Sequence, residues 1–505
     1  MTAGLTAETP TTTWQRLDRR TIFVAPLMPL LSVIGAVTVI VLFRGWEKVG
    51  FWEPAITGGI AVALFVGTAW HWKTTRYRVT DTHVELRIGL LVRKHRSLPK
   101  DRVRAVDMSA NVFHRMFGLS VVTIGTGRHV SESDDELKLE AVSAGEAERL
   151  RTLLLHRADA PVRQRQQTGT LTRFSPAWMR YAPLTLFGFI AVVVLIGGLL
   201  QLARTIGLDL WKTGPIQTLF HWYEDTPLVL SIVVTAVVVL VLTTLLSVLL
   251  YAVFYWGFEL TRQNGTLHVQ YGLVNKRSVS IEEQRLRGVR VDEPLLVRAT
   301  GGAKVKAVAT GLNKKKDDDD KFEVDADLLL PQAPKEEARK VVAAVLDTYP
   351  PPTDTALAKH PFAAARRLVM WHAIGGAVPA VVLGVLSVLD LTPWWIAQVL
   401  LVLVPISALL GYGEYRGLGH AVDRDYLVVR SGLAPRSTVA LQRTGVIGWK
   451  VRQSFFQRRA GLISVTATVA AGSGAYTIRY ADQQGALETA DTAVPGLMEP
   501  FLAKD

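Results

Sequence analysis

The segment "QSFFQRRAGLISVTA", residues 453–467, places cations and aromatic rings next to one another, and the wider stretch 426–481 contains no acidic residue. Guanidinium and ammonium groups beside aromatic rings suit the binding of an anionic lipid headgroup at a membrane surface. The candidate contacts are Arg443, Trp449, Lys450, Arg452, Phe455, Phe456, Arg458 and Arg459. Basic residues near membrane spans also follow from positive-inside topology alone, so both interpretations stay open.

Catalytic motifs do not accompany these residues. The sequence has no Walker loop, no H-E-x-x-H motif and no G-x-S-x-G motif, and its 11 histidines do not cluster with carboxylates at ligand spacing. It contains no cysteine, which excludes thiol nucleophiles. The run "KKKDDDDK", residues 314–321, lacks the spaced oxygens of a calcium loop and is predicted to be a solvated hairpin tip. We therefore expect a protein that is not an enzyme and that has no cofactor and no metal site.

Hydropathy predicts a membrane protein. Hydrophobic residues make up 49% of the 505 residues, and they are concentrated in six runs that form three close pairs. Such runs have the length of transmembrane helices, and each close pair predicts a helical hairpin. The runs are 21–43, 56–72, 183–203, 227–256, 368–389 and 394–410.

The sidedness of the chain follows from its basic residues. The three short tips within the hairpins, 44–54, 204–226 and 390–393, carry four basic and six acidic residues together. The remaining sequence therefore holds the positive excess of the chain, whose net charge is +13. The positive-inside rule then predicts a multi-pass protein of the cell membrane, with a cytoplasmic N-terminus and three cytoplasmic hydrophilic segments. Basic and aromatic residues also suit nucleic acid, but no RNA- or DNA-binding motif accompanies them, so we expect no nucleic-acid partner.

The three hydrophilic segments repeat one unit. In each copy a glycine that ends a short alternating run is followed 29 residues later by a second glycine, and an arginine stands three residues before that second glycine. The glycine pairs are Gly89 and Gly118, Gly272 and Gly301, and Gly432 and Gly461; the arginines are Arg115, Arg298 and Arg458. Repetition preserves residues that determine the fold as readily as residues that bind. Whether these arginines are structural or binding is therefore left open.

A polar residue followed by arginine lies between the two glycines of each copy. These arginines, Arg102, Arg285 and Arg443, complete the candidate contacts, together with the repeated Arg115 and Arg298. The first two pairs lie 13 residues after their glycine and the third only 11, which predicts a compensating insertion in the third copy.

Each unit is predicted to be built of strands and to end in a helix. Runs such as "TDTHVELRI" alternate polar with apolar residues, and the first two units close on amphipathic segments, "AERLRTLLL" and "PKEEARKVVAAVL". The third unit offers only "VPGLMEPFL", which predicts a shortened helix. Short antiparallel strands with one terminal helix indicate a small barrel or sandwich.

A membrane hairpin followed by Gly-Leu, a polar-Arg pair and "F-x-R-x-x-G-L-x-x-V-x-I" resembles the bacterial pleckstrin-homology-like (PH-like) domain of the second type, found in YdbS/YdbT-like membrane proteins. The three-copy layout is similar to the longer member of that pair. The resemblance implies a bent seven-stranded barrel with a carboxy-terminal helix, and a single-unit PH-like membrane protein as companion. The second copy departs most, because Leu296 replaces the aromatic residue and Gly302 replaces the leucine.

The predicted fold class is therefore a membrane α plus β protein with six transmembrane helices in three hairpins, each followed by a cytoplasmic PH-like domain. The predicted order is N-terminus 1–20, hairpin 21–72, domain 73–158, linker 159–180, hairpin 181–256, domain 257–349, linker 350–366, hairpin 367–413 and domain 414–505.

The function expected from these features is that of a non-enzymatic membrane scaffold whose PH-like domains bind one another, a partner membrane protein or anionic lipid. The alternative is an envelope-protection or export factor against membrane-active peptides. Because each domain continues a membrane helix, we expect the three domains to crowd into a pseudo-threefold cluster in which the repeated Arg-x-x-Gly segments face equivalent neighbours. The shortened third helix would leave one position open for the companion.

Overall fold

A computed structural model describes residues 13–44, 52–89, 94–103, 105–125, 136–155, 169–205, 214–263, 265–310 and 326–497. The chain divides into two compact units, Met1–Ile281 and Glu282–Asp505. The charged run 314–321, predicted to be a hairpin tip, lies outside the described residues.

The first unit contains eleven strands and eight helices among its described residues. In chain order these are β1 (Gln15–Arg16), α1 (Thr21–Val24), α2 (Leu27–Arg44), α3 (Trp52–Thr74), β2 (Arg76–Val79), β3 (His83–Ile88), β4 (Lys94–Pro99), β5 (Ala105–Ala110), α4 (Val112–Met116), β6 (Leu119–Gly125), β7 (Glu136–Ser143), α5 (Ala144–Leu155), β8 (Gly169–Arg173), α6 (Leu186–Thr205), α7 (Gly214–Asp225), α8 (Leu228–Tyr255), β9 (Glu259–Gln263), β10 (Thr266–Tyr271) and β11 (Lys276–Glu282).

The second unit contains nine strands and six helices among its described residues. Its elements are β12 (Leu286–Glu293), α9 (Leu295–Ala299), β13 (Gly302–Ala309), β14 (Leu328–Pro334), α10 (Lys335–Leu346), α11 (Phe362–Val388), α12 (Trp394–Gly417), β15 (Gly419–Asp423), β16 (Tyr426–Ser431), β17 (Arg436–Gln442), β18 (Val446–Arg452), α13 (Phe455–Arg459), β19 (Leu462–Val469), β20 (Ala475–Asp482) and α14 (Gln483–Ala493).

Five helices among the described residues are long and apolar enough to cross a membrane. They are Ala55–Thr74 within α3, Gly188–Thr205 within α6, and the whole of α8, α11 and α12. The remaining predicted span, 21–43, falls on α1 and α2, which are not among these five; its shorter apolar stretch is Thr21–Gly35. Small residues let the helices approach one another: a Cβ added at Gly411 of α12 would lie 2.8 Å from the carbonyl oxygen of Leu368 in α11.

The core of the first repeat shows why its alternating runs form strands. In β3 the alternate residues Val84 and Leu86 are buried and the residues between them are not. They pack with Val122, Leu139 and Leu150, so that strands β2 to β7 and helix α5 share one hydrophobic core. The antiparallel strands and terminal helix predicted from the sequence are thus present. Whether the strands of one repeat close into a barrel stays a prediction.

The third repeat ends in a helix of eleven residues, so the prediction of a shortened helix is wrong. Helix α14 begins after Asp482, whose side chain accepts a hydrogen bond from the backbone N–H of Gly485. Its buried face consists of Ala486, Ala490 and Ala493. Small alanines give little apolar periodicity, which explains why the sequence pattern missed this helix. The segment "VPGLMEPFL" follows the helix, and its part beyond residue 497 lies outside the described residues.

The segments that precede the hairpins also belong to the sheets. Strand β1 pairs with β2, the first strand after the first hairpin, and β8 pairs with β9 in the same way. In the third repeat a single bridge joins Ala358 to His420 in β15. Backbone pairing therefore connects the residues on either side of each membrane excursion, which is a feature the sequence did not predict.

Two of the four sheets run from one repeat into the next. The seven-stranded sheet has the order β7-β6-β5-β11-β10-β9-β8, and the six-stranded sheet has the order β14-β13-β12-β17-β16-β15. The first sheet joins strands of repeats one and two, and the second joins strands of repeats two and three. This sharing explains why the division into compact units falls inside the second repeat, between residues 281 and 282.

The predicted insertion in the third repeat is wrong. We call β4, β11 and β17 the third main strands, because each is the third strand after the hairpin of its repeat. A 3-10 turn follows each of them, at Lys100–Arg102, Glu283–Arg285 and Arg443–Gly445. Each turn begins 11 residues after its glycine, so the three copies have the same length here. Arg443 simply occupies the first position of the turn, where Arg102 and Arg285 occupy the last.

Candidate functional site

The first edge-to-edge junction joins β5 to β11. The strands pair antiparallel, with Ala110 opposite Lys276 and Asp107 opposite Val279. The short helix α4 follows β5, and the side chain of Asn111 caps it by accepting from the backbone N–H of His114, 2.8 Å away. This turn aims the Arg115 guanidinium at the next repeat, where Nη1 donates to the carbonyl oxygen of Leu273 at 2.7 Å. The acceptor is the leucine of the Gly-Leu pair.

The second junction repeats the first. Strand β12 pairs antiparallel with β17, with Arg290 opposite Val439 and Glu293 opposite Arg436. The Arg298 guanidinium in α9 donates through Nη1 to the carbonyl oxygen of Leu433 at 3.2 Å. Leu433 again follows the first glycine of its repeat. Register and arginine contact are therefore the same at both junctions.

Charged groups reinforce the second junction. Arg436 Nη2 lies 2.6 Å from Oε2 of Glu293, whose side chain is 6% exposed, and Lys335 Nζ lies 3.6 Å from Oε1. Next to this pair, Ser437 Oγ donates to Asp292 Oδ1 at 2.5 Å. Burial lowers the pKa of the Arg298 guanidinium, and so does the positive charge of Arg436. The acidic end of β12 thus fixes a basic end of β17.

Arg458, the third copy of the repeated arginine, lies in a short helix like those of Arg115 and Arg298, but no described carbonyl oxygen accepts a hydrogen bond from its side chain. Helix α13 begins with a capping box in which Ser454 and Gln457 hydrogen-bond reciprocally. Phe455 and Phe456 are 67% and 58% exposed. The side chains of Arg458 and Arg459 are exposed, and Arg458 has no side-chain partner among the described residues.

Strand β18 is the counterpart of β5 and β12, and it is an edge. It belongs to a three-stranded sheet of order β18-β19-β20, so no described strand pairs with its outer side. Ile447, Lys450, Val451 and Arg452 are exposed along it. We define β18 together with α13 as the open edge. An unpaired strand edge with exposed apolar residues is a template for pairing with another chain.

Glycine marks the same position of β12 and β18. A Cβ added at Gly288 would lie 2.1 Å from the carbonyl oxygen of Ala440 in the neighbouring β17, so the paired strand requires glycine there. Gly448 stands ten residues before its arginine, as Gly288 does, but a Cβ added at Gly448 meets nothing within 4 Å. The open edge therefore has the space that a docked strand needs, and no residue that the structure describes fills the space beside Gly448.

Some of the other predicted contact residues have structural roles. Arg443 donates from Nε and Nη2 to the carbonyl oxygens of Ala493 and Thr492, both at 2.6 Å, and so caps the carboxyl end of α14. Arg285 Nε forms an ion pair with Glu282 at 2.9 Å. The side chain of Arg102 lies outside the described residues. Trp449 packs against the core of the third repeat, and its indole nitrogen is buried without a hydrogen-bond partner among the described residues.

The structure thus brings together Lys450, Arg452, Phe455, Phe456, Arg458 and Arg459 at the open edge and separates them from Arg443. Sequence reasoning missed three contributors to the junctions: Gly288 with its equivalent Gly448, the acidic pair Asp292 and Glu293, and the leucine carbonyls that accept from the arginines. The ten-residue spacing of glycine and arginine, which the second and third copies share, could have indicated the first. A backbone carbonyl has no sequence signature.

A buried histidine pair lies close to the third hairpin. His420 Nδ1 is 3.2 Å from His360 Nε2, and His360 Nδ1 is 3.2 Å from the carbonyl oxygen of Tyr480. Burial and the neighbouring His360 ring lower the pKa of His420 from 6.5 to about 4. Burial lowers the pKa of His360 as well. The contact between the two rings links the residues before α11 to those after α12. Among the described residues, no group of three metal-ligating side chains is found.

Comparison with known proteins gives one family and one relative. The bacterial PH domain model matches three times, over residues 26–158, 185–348 and 375–493. The chain is 22% identical over 443 residues to the UPF0699 transmembrane protein YdbT of Bacillus subtilis (strain 168), which covers 85% of this chain and 86% of that protein. No solved structure gives a significant match.

Proposed function

The chain belongs to the bacterial PH domain family as a transmembrane protein with three PH repeats, and from this premise we propose that it is a non-enzymatic membrane scaffold. In this scaffold the PH-like domains dock to one another through strand edges and leave one edge for a partner. The family alone does not decide the function, because one fold hosts many functions. The proposal therefore depends on the site.

The observation that carries the proposal is the repeated arginine contact. Arg115 and Arg298 stand at the same position of two repeats, and each donates to the leucine carbonyl of the following repeat, beside a shared antiparallel ladder. Main-chain ladders at sheet edges supply affinity in many protein–protein complexes. In the proposed scaffold, Arg115 and Arg298 are therefore the residues that dock one repeat to the next.

The first test addresses the docking itself. We expect Arg298→Glu to cost the β12–β17 ladder about 2 kcal/mol, because it removes a charge-assisted hydrogen bond and places a carboxylate beside a carbonyl oxygen. This corresponds to roughly a 30-fold faster amide exchange in β12 and β17 where exchange requires opening of that ladder. Hydrogen–deuterium exchange of the full-length protein in nanodiscs would measure it. Arg459→Glu changes an exposed arginine outside both junctions and is the matched control. Equal exchange in the two variants would contradict the docking role.

The second test addresses the scaffold. Full-length protein is purified from native membranes, and bound proteins and lipids are quantified by mass spectrometry. We expect a protein partner in stoichiometric amount with the wild-type chain and less of it with a variant of the open edge, Arg458→Glu. Recovery of anionic phospholipid without any protein would favour the lipid ligand expected from the basic composition and would overturn the scaffold proposal. Turnover of a lipid headgroup by the purified chain would also overturn it.

The placement of the PH-like domains on the cytoplasmic side is part of the same proposal. It is supported by the acidic excess of the three hairpin tips and by the basic excess of the remaining sequence. Cysteine labelling offers a direct check, because the chain contains no native cysteine. A cysteine introduced at Lys450 is expected to react with a membrane-impermeant maleimide only after the cells are opened.

A further inference from the structure

We infer that the open edge binds the third main strand of a PH-like domain in another chain, and that this strand follows a Gly-Leu pair and carries an acidic residue five positions after that glycine. The inference rests on the proposed scaffold function and names the partner class of its unoccupied edge. Both internal junctions define the geometry, and the charges of the open edge define the chemistry.

The internal junctions give the alignment of the partner strand. At each, the residue five positions after the first glycine lies opposite the residue six positions before the arginine: Arg277 faces Ser109, and Ser437 faces Asp292. Applied to the third repeat, this register places the partner residue opposite Arg452. The leucine carbonyl of the partner then lies where Arg458 can donate to it, as Arg298 donates to Leu433.

Gly448 provides an independent argument for a docked strand. Its equivalent Gly288 is required because the carbonyl oxygen of Ala440 approaches to 2.1 Å from the place of a Cβ. Gly448 has no such neighbour, and its backbone has no positive φ that would demand glycine. A side chain at this position would instead block a partner strand that approaches as closely as β17 approaches Gly288, whereas β5, with Ala105 at this position, pairs with β11 only from Asp107 onward. The residue therefore fits an edge that is covered by another chain.

Charge distinguishes the partner from a second copy of this chain. Among the described residues, β4 is the one third main strand that has an unpaired side. It pairs with β3 and forms the edge of the sheet β1-β2-β3-β4. Its residue five positions after Gly89 is Lys94, which the common register would place opposite Arg452. Like charges directly opposite one another destabilise a strand pair. An acidic residue there would instead form an ion pair with Arg452, at the position where Ser437 faces Asp292 in the second junction and one position along from the pair of Glu293 with Arg436.

The experiment uses a photoreactive p-benzoylphenylalanine at Val451 of the full-length chain, irradiated in native membranes. Val451 is exposed and corresponds to Val291, which lies opposite Thr438, six positions after its glycine. We expect an adduct with a PH-like domain of a different chain, within two residues of the sixth position after a Gly-Leu glycine, and an acidic residue at the fifth. Mass spectrometry of the cross-linked peptide identifies the attachment site.

Two variants test the mechanism. Gly448→Ala is expected to lower the adduct at least 10-fold and to leave the thermal stability of the purified protein unchanged, because the added methyl group meets no described atom of this chain within 4 Å. Gly145→Ala, at a second glycine with open space, is the control and should leave the adduct unchanged. If Gly448→Ala proves unstable, Arg452→Glu serves instead. It should also lower the adduct, because it places two carboxylates opposite each other.

Three results would overturn the inference: an adduct with lipid only, an adduct with β4 of the same or a second copy, and no adduct at all. Its failure is distinguishable from failure of the scaffold. Slow amide exchange in β11 and β17 together with any of these three results would retain the internal docking and reject the partner. Fast exchange in those strands would reject the docking from which the partner is deduced.

Discussion

Strands β12 and β18 are the same strand of one repeat, but β12 is paired on both sides and β18 is paired on one. β12 ends in Asp292 and Glu293, and these residues hold the start of β17. β18 ends in Arg452 and is followed by Gln453 at the equivalent places. The arginine and the glycine that form the junction are common to both repeats, whereas the charges at the junction differ. The comparison teaches that geometry is repeated along this chain while the charges at the strand ends change from acidic to basic.

The largest effect is expected where charge and burial combine, at Glu293. Glu293→Gln removes the carboxylate that pairs with Arg436 at 2.6 Å and leaves a half-buried guanidinium without its charge partner. We expect a loss of about 3 kcal/mol in the stability of the β12–β17 ladder, since breaking a buried ion pair costs about 3–5 kcal/mol and this arginine is partly exposed. Thermal unfolding of the full-length protein and amide exchange in β12 would measure it.

The matched variant is Gln453→Glu, which places a carboxylate at the same position of the open edge. A loss of only about 1 kcal/mol is expected in the purified protein, because the change removes one neutral hydrogen bond, from Gln453 Nε2 to the carbonyl oxygen of Leu462 at 3.1 Å, and breaks no ion pair. Equal effects of the two variants would show that β12 and β18 do not differ in the way described.

A second, smaller effect on stability should distinguish alanine substitutions at Gly288 and Gly448. Gly288→Ala forces a methyl group against the carbonyl oxygen of Ala440, and overpacking of this kind costs about 2 kcal/mol. Gly448→Ala should be neutral in the purified protein. Thermal unfolding of both variants side by side gives the answer, and a neutral Gly288→Ala would mean that β12 and β17 approach less closely than the ladder indicates.

The sequence predicted the elements of the fold better than their connections. Hydropathy located the apolar helices, and alternation such as that of Val84 and Leu86 located the strands, because both patterns are local. The pairing of β5 with β11 depends on residues more than 160 positions apart, for which no local pattern exists. Helix α14 was missed because alanines form its buried face.

The candidate site was predicted in part for the same reason. Spacing singled out Arg115 and Arg298 but could not show their acceptors, which are backbone carbonyls. It also grouped Arg443 with the binding residues, although its three hydrogen bonds to carbonyl oxygens stabilise the end of α14 and the turn at Arg424. Basic residues look alike in a sequence whether they cap a helix or face solvent. Only the direction of the guanidinium separates them.

The smallest expected effect compares the first arginine with the third. Arg115→Ala removes the 2.7 Å hydrogen bond to Leu273. Because Arg115 is exposed and the change removes a single hydrogen bond to a backbone carbonyl, we expect a loss of about 1 kcal/mol in the β5–β11 ladder. Arg458→Ala should change nothing in the purified protein, since its side chain has no partner among the described residues, and should weaken only partner recovery from membranes. Amide exchange in β11 measures the first effect. A destabilised purified Arg458→Ala variant would mean that the third arginine already has an acceptor within the chain, and the comparison between closed and open edges would then fail.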